Sequence, residues 1–494
     1  MRETTLKWLK RLGLVLAATL VTLLAVRAWD ARNGPQLKVW HTYVPDDLKV
    51  RQLDDLDWAG FLKAEQELFD DVRKKVTDRL EPEDRIPANR YYSGSPIYPG
   101  GFQQDWNRSY LLEPAGPPAG AVVLLHGLTD TPYSLRHVAW LYRDRGWVAV
   151  GIRMPGHGTV PAGLTDVEWE DWVAATRLAV REAKRRLQPG QPLHLVGFSN
   201  GGALAMQHAL DALTDPELAR PDQLILISPM IGVTAFARFA GVLGWPAVFP
   251  AFAKAAWLGI VPEFNPFKYN SFPINGARQS CLFTRSLQRQ IQRLGREGRL
   301  KELPPVLTFQ SVVDFTVSTR AIITDLHMQI PPNGSELVLF DVNRNAKVSP
   351  LLRSNMETAL DRLLPPPPRG FRTTVIANPD PASPEVVRRV TEAGATNETV
   401  HPLGLAYPPG IFSMSHVSIP FPVDDALYGM DPGTNENFGV NLGTISVRGE
   451  VGLLIVSLDS LVRVSSNPFY PYMMERIAQT IPGGATNPPP VAAR

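Results

Sequence analysis

Apolar residues in this chain fall into short continuous blocks and longer periodic stretches. The blocks Ala121–Leu125, Trp147–Ile152, Leu193–Val196, Leu224–Ile227, Val306–Gln310, Leu337–Phe340 and Thr373–Ile376 are each four to six residues long. Blocks this short read as fully buried strands. Between several of them lie stretches with helical spacing of apolar positions, chiefly Ser134–Arg145 and Asp166–Leu187. Strand and helix in alternation predict an α/β architecture, because two parallel strands need a long crossover between them.

Outside that pattern the chain changes character. Asp54–Leu80 has helical periodicity with dense charge and reads as one or two solvated amphipathic helices. Residues 114–120 are rich in proline and glycine and mark a boundary. From Ile231 to about Leu303 the alternation breaks, and the Phe-, Trp- and Ala-rich stretch 235–261 predicts an apolar helical cap over the sheet edge, its prolines arguing against a membrane span. The run Pro365–Pro368 reads as a loop, Gly452–Val456 as one more strand and Tyr470–Ile481 as a helix.

At the start, Arg2, Lys7, Lys10 and Arg11 precede an uncharged run from Leu12 to Val26, bracketed by Trp8 and Trp29. A positive flank, an apolar run and interfacial tryptophans point to a signal anchor rather than a cleaved signal peptide, with the body exported to the periplasmic or extracellular side. The segments expected are therefore 1–29 as anchor, 30–118 as an N-terminal extension, and 119–230 as the first part of the core. Residues 231–303 would be the cap, 304–481 the rest of the core with a C-terminal extension, and 482–494 a disordered tail.

Composition narrows the class. A chain of 494 residues with 44% hydrophobic and 20% charged residues has ample material for a core. A formal charge of +2 and the lack of basic runs interleaved with aromatics argue against nucleic-acid binding. With Cys281 alone there is no intrachain disulfide and no cysteine-based zinc site.

The chemistry concentrates at Gly197-Phe198-Ser199-Asn200-Gly201, between a strand and a helix-forming Ala203-Leu204-Ala205-Met206. A Gly-x-Ser-x-Gly turn in that context lifts a serine hydroxyl above the sheet, and side chains two residues away on either side would collide. A serine nucleophile needs a base and a group that orients the base. In such a sheet the acid and then the histidine follow the serine along the chain. His327, His401 and His416 lie in range, as do the carboxylates Asp314 and Asp341, each just beyond a predicted strand.

Val122-Val123-Leu124-Leu125-His126-Gly127-Leu128, Pro155-Gly156-His157-Gly158 and the Gly197–Gly201 turn together resemble the serine esterases and lipases of the α/β-hydrolase superfamily, including monoacylglycerol-lipase-like and carboxylesterase proteins. The resemblance implies an α/β-hydrolase fold, a mostly parallel sheet flanked by helices, here with the inserted cap and the anchor. It favours Asp314, in an Asp-x-x-Val context, over Asp341 as the acid. It favours His416, followed by Val417, over His401 in a proline-flanked loop and over His327 within a helix. It places the oxyanion hole at the N–H groups of Leu128 and Asn200 and gives His126 and His157 structural roles. Many members of that superfamily carry an acidic residue shortly before the Gly-His-Gly; Arg153 stands there in this chain.

The implied chemistry is carboxylic ester hydrolysis through an acyl-enzyme on Ser199, with neither metal nor organic cofactor. An apolar cap and a membrane tether point to a hydrophobic or lipid-like acyl substrate. Acyl transfer and thioester hydrolysis would leave the same residues, and a binding protein on a hydrolase fold without turnover is the reading from a different class.

Overall fold

A computed structural model describes residues 2–232, 250–314, 316–345, 359–408, 411, 413–444 and 464–482. Every predicted block in that range is a strand: β2 (Gly120–Leu125), β3 (Trp147–Ile152), β4 (Leu193–Phe198), β5 (Gln223–Ile227), β8 (Val306–Ser311), β9 (Glu336–Phe340) and β10 (Arg372–Ala377). They run parallel in the order β3-β2-β4-β5-β8-β9-β10. The strand β1 (Tyr110–Leu112) adds antiparallel beside β3, and β11 (Glu385–Thr391) and β12 (Thr399–Ala406) extend the far edge as an antiparallel pair, making a ten-stranded sheet. A separate two-stranded ribbon joins β6 (Trp257–Gly259) to β7 (Phe272–Pro273).

Both faces of the sheet are buried, which is why its strands read as continuous apolar runs rather than as alternation. One face, including Val123, Leu125, Leu195 and Leu226, packs against the helices Trp169–Arg185, Asn200–Thr214 and Ile274–Arg296 through Trp172, Leu204, Phe283 and Leu287. The other, including Val122, Phe198, Ile227 and Phe309, packs against Arg136–Asp144 and Tyr470–Gln479 through Val138, Tyr142, Met473 and Ile477. The C-terminal stretch thus completes one layer of the core. This is the α/β-hydrolase arrangement expected from the motifs.

Winding reverses between β2 and β4: the chain goes from β2 out to β3 and returns to β4 on the other side of β2. The carboxyl ends of strands at such a reversal open a crevice, and the loops after β2 and β4 meet there.

Two expectations change. Residues 2–33 form a helix, but the expected anchor is not supported: among the described residues no helix is long and apolar enough to cross a membrane. The uncharged run Leu12–Val26 spans only ~22 Å as a helix, against ~30 Å of hydrocarbon, before Arg27 interrupts it. Second, within 231–303 the long helix Ile274–Arg296 packs into the flanking layer beside Asn200–Thr214 instead of covering the sheet edge, because its Phe283, Leu287 and Ile291 face the core. Residues 233–249 of the expected cap, the strand at Gly452–Val456 and the tail from 483 onward lie outside the described residues. The N-terminal extension, whose role the sequence leaves open, is bound into the fold. It supplies β1, and Trp40, Val72, Val76 and Tyr91 bury against Val160, Ala162 and Trp257.

Candidate active site

β4 delivers Ser199 onto a sharp turn. Its backbone has φ +54° and ψ −113°, a region costly for a residue with a side chain and typical of functional turns. The flanking glycines are required by space. A Cβ on Gly201 would run into the Leu125 carbonyl oxygen, and one on Gly197 into the Gly201 carbonyl. Ser199 N–H donates to Ile227 O on β5 (2.9 Å), and Met230 N–H donates to Ser199 O (2.9 Å). Two strands therefore hold the turn.

His416 is brought to the serine by the loop after β12. Its Nε2 lies 3.0 Å from Ser199 Oγ and its Nδ1 2.9 Å from Asp314 Oδ2. With the carboxylate accepting from Nδ1–H, the network assigns Nε2 as the acceptor for the serine proton. Ser311 Oγ donates to Met414 O (2.8 Å) and anchors the histidine loop to the end of β8, while the imidazole leans on the Phe198 ring at 5.3 Å between centroids.

Asp314 follows β8, beyond β5 from the serine's strand. Burial pushes its carboxyl up, but the adjacent His416 and the N–H groups of Val317 (2.9 Å) and Thr316 (2.8 Å) outweigh that and hold it below the usual carboxylate range. The structure thus brings together Ser199, His416 and Asp314. It does not bring Asp341, which ends β9, faces Arg344 at 3.4 Å and is pushed up by burial. His327 is buried against Thr308 Oγ1 (2.9 Å). His401 lies not in a loop but exposed on β12, paired across from Arg388. Six strand spacings separate β12 from β4, on the order of 30 Å.

Leu128 and Asn200 follow β2 and β4, neighbours in register from Ala121↔Leu193 to Leu125↔Gly197. Gly127 lets the first loop close on the second: a Cβ there would sit 3.2 Å from the Phe198 ring and 3.3 Å from Ser199 Cβ. Asp130 N–H donates to Gly127 O (3.3 Å), and Thr129, at φ +62°, accepts from Tyr269 N–H (2.8 Å). Asn200 begins the helix Asn200–Thr214, so its N–H belongs to the first, unpaired turn.

The two motif histidines hold backbone, as expected. His126 Nε2 accepts from Met154 N–H (3.0 Å), which makes Nδ1 the donor to Gly127 O (2.9 Å). Burial lowers His157 to about 4, and its Nδ1 pairs with Pro155 O (3.0 Å). Burial lowers His126 as well, so it favours the neutral form of both rings.

Two buried charge clusters were not legible in the sequence. Arg153 is fully buried. Its guanidinium meets Asp47 through two bonds (2.7 and 2.9 Å), Glu65 Oε1 (3.0 Å) and His157 O (3.1 Å). Both acids that pair with Arg153 come from the N-terminal extension. Arg136, also buried, meets Asp425 (2.9 Å) and Glu436 (2.7 Å) and lies 3.8 Å over the Tyr133 ring. It ties the segment behind His416 to the helix after the Leu128 loop. An arginine beside an apolar strand signals that a partner exists; it does not say where in the chain. Among the described residues no group of three or more His, Cys, Asp or Glu is arranged to hold a metal ion.

Residues 116–265 match the sequence profile of the serine aminopeptidase S33 family. An 89-residue stretch is 35% identical to a thermostable monoacylglycerol lipase of Bacillus sp. (strain H-257), covering 18% of this chain and 34% of that protein. The chain thus spans about a third of the length of that curated relative. Among solved structures, one described under two metagenome-derived lipolytic enzymes, LipS and LipT, aligns with a TM-score of 0.39 at 21% identity, over 52% of this chain and 97% of the other. The Paleococcus ferrophilus monoacylglycerol lipase aligns at 0.35 and 16%, over 51% and 98%. At such scores the fold assignment rests on the sheet, the elbow and the family match, which together place the chain among the α/β-hydrolases.

Proposed function

We propose that the protein is a serine hydrolase that cleaves carboxylic esters through an acyl-enzyme. The observation that carries this reading is the continuous hydrogen-bond row from Ser199 Oγ through His416 to Asp314, with the serine on a strained elbow. In the reaction, His416 Nε2 takes the Ser199 proton as Oγ attacks the ester carbonyl carbon. Asp314 holds the tautomer and stabilises the imidazolium. The N–H groups of Leu128 and Asn200 would receive the negative charge on the carbonyl oxygen, a contribution of roughly 3–4 kcal/mol per donor. His416 returns the proton to the departing alcohol, then deprotonates the water that releases the acid.

Hydrophobic acyl esters are the substrate class we favour. The similarity to a monoacylglycerol lipase supports this, and so does the apolar composition of the chain between β5 and β8. The test uses a fluorophosphonate probe on the whole protein. The wild type labels and Ser199→Ala does not; a wild type that fails beside a labelling control esterase overturns the reading. Hydrolysis of p-nitrophenyl esters of graded chain length then decides the substrate class, and a preference for acetyl refutes the lipid-like assignment.

A further inference from the structure

The hydrogen-bond row does not end at Asp314. Gln310, fully buried on β8, directs Nε2 at Asp314 Oδ2 (3.0 Å), the oxygen that also faces His416 Nδ1 (2.9 Å). The same Nε2 lies 2.9 Å from Thr319 Oγ1. Thr319 donates its single hydroxyl hydrogen to Ser311 O (2.9 Å), so toward Gln310 it can only accept. Both neighbours of this Gln310 atom are therefore acceptors, which assigns it as the amide nitrogen. The opposite end, Oε1, is buried with no partner among the described residues. An orphaned buried acceptor is unfavourable, and a leucine or methionine at this position would avoid it. The nitrogen end accounts for the amide.

We infer that Gln310 is a positioning residue for the Asp314–His416 pair, holding the carboxylate in line with the imidazole and drawing electron density from the oxygen that His416 faces. The inference rests on the reading of Ser199, His416 and Asp314 as a catalytic triad. Thr316 and Val317 N–H groups hold the other oxygen, Oδ1, from within the same turn. Oδ2 is held from β8 by Gln310 alone among the described hydrogen-bond partners other than His416. Among the described residues, His416 is the titratable side chain that faces Asp314, and Asp314 and Ser199 are the side chains hydrogen-bonded to His416. Without the Gln310 donor, Oδ2 becomes a stronger acceptor, which favours the protonated imidazole. The carboxylate also gains freedom to turn.

Gln310→Met keeps the stem and removes both N–H donors. Two measurements follow the variant across the range in which histidine titrates: the rate of fluorophosphonate labelling, and the His416 imidazole by NMR, which needs no turnover. The expected result is a folded protein whose maximal labelling rate falls about tenfold and whose acid-side midpoint rises by roughly half a pH unit, the His416 titration moving with it. Thr319→Val, which removes the group that aims the amide, gives a smaller shift in the same direction and decides the matter if Gln310→Met does not fold. Unshifted midpoints overturn the inference, whether the rate is unchanged or reduced, since a reduced rate alone marks a packing role. If the wild type does not label, the nucleophile assignment fails, while the His416 titration still decides on Gln310.

Discussion

Arg153→Met removes the cation from a site where two carboxylates have already been desolvated. Asp47 loses both its guanidinium bonds and keeps the N–H groups of Gly156 (2.8 Å) and Leu48 (2.9 Å). Glu65 loses one bond and keeps Ser109 N–H (3.1 Å) and Oγ (2.8 Å). Breaking a buried ion pair by removing one partner costs about 3–5 kcal/mol, and the remaining bonds keep the total near that range rather than at twice it. The effect depends on pH in a defined direction. In the wild type, Arg153 and the backbone N–H groups hold Asp47 below the usual carboxylate range against its burial, so its contribution is present above the unfolded value and fades as pH falls. Glu65 is already raised by burial, with Arg153 opposing; without the arginine both carboxyls rise, and the folded variant binds protons more readily than its unfolded chain. The deficit of the variant is therefore largest near neutrality and shrinks on acidification toward the carboxylate range. Urea unfolding followed by tryptophan fluorescence at neutral and mildly acidic pH measures it. Adding Asp47→Asn to the variant should recover about 1–2 kcal/mol, because a neutral amide replaces an abandoned charge. A neutral-pH loss under ~1 kcal/mol, or a loss that does not diminish with acid, refutes the argument.

Asp314→Asn should lower fluorophosphonate labelling by roughly four orders of magnitude with the fold retained, since an amide favours the wrong imidazole tautomer; labelling within tenfold of wild type would remove Asp314 from the triad. Because the Asp314 carboxyl is held down in the folded protein, the stability difference between wild type and this variant should also close as pH falls through the carboxylate range. Gly201→Ala puts a methyl against the Leu125 and His126 carbonyl oxygens and should abolish labelling, while Gly116→Ala, with open space around it, should be silent. Asp425→Asn weakens the hold on Arg136, leaving Glu436 as its remaining carboxylate, and should cost about 3–5 kcal/mol by urea unfolding. A loss below ~1 kcal/mol there would mean that Glu436 and the Tyr133 ring suffice.

The parallel strands were legible because burial on both faces leaves unbroken apolar runs such as Val122–Leu125. The edge strands were not. β1 has three residues, β11 carries Arg388 and Arg389 in its middle, and β12 is largely exposed and contains Pro402 and Gly404. A strand that buries little has little pattern to read. These strands also resolve the long separation of Asp314 from His416. The intervening chain builds the far edge of the sheet, β9 to β12, and returns to β4 without disturbing the ends of β4, β5 and β8.

The sequence by itself determined the sheet and the elbow and marked Ser199 as the candidate nucleophile, because strand burial and the glycine spacing around Ser199 are set within a few residues of chain. Through the resemblance it favoured Asp314 and His416 over the other candidates. Only the tertiary structure brings His416 within 3.0 Å of Ser199 across 217 residues and sets His401 on the far edge of the sheet. It also decided what Arg153 and Arg136 do, pairing them with carboxylates 88 to 300 residues away. Hydrogen bonds and ion pairs act over a few ångströms, and which distant residues come that close is set by the order of strands in the sheet.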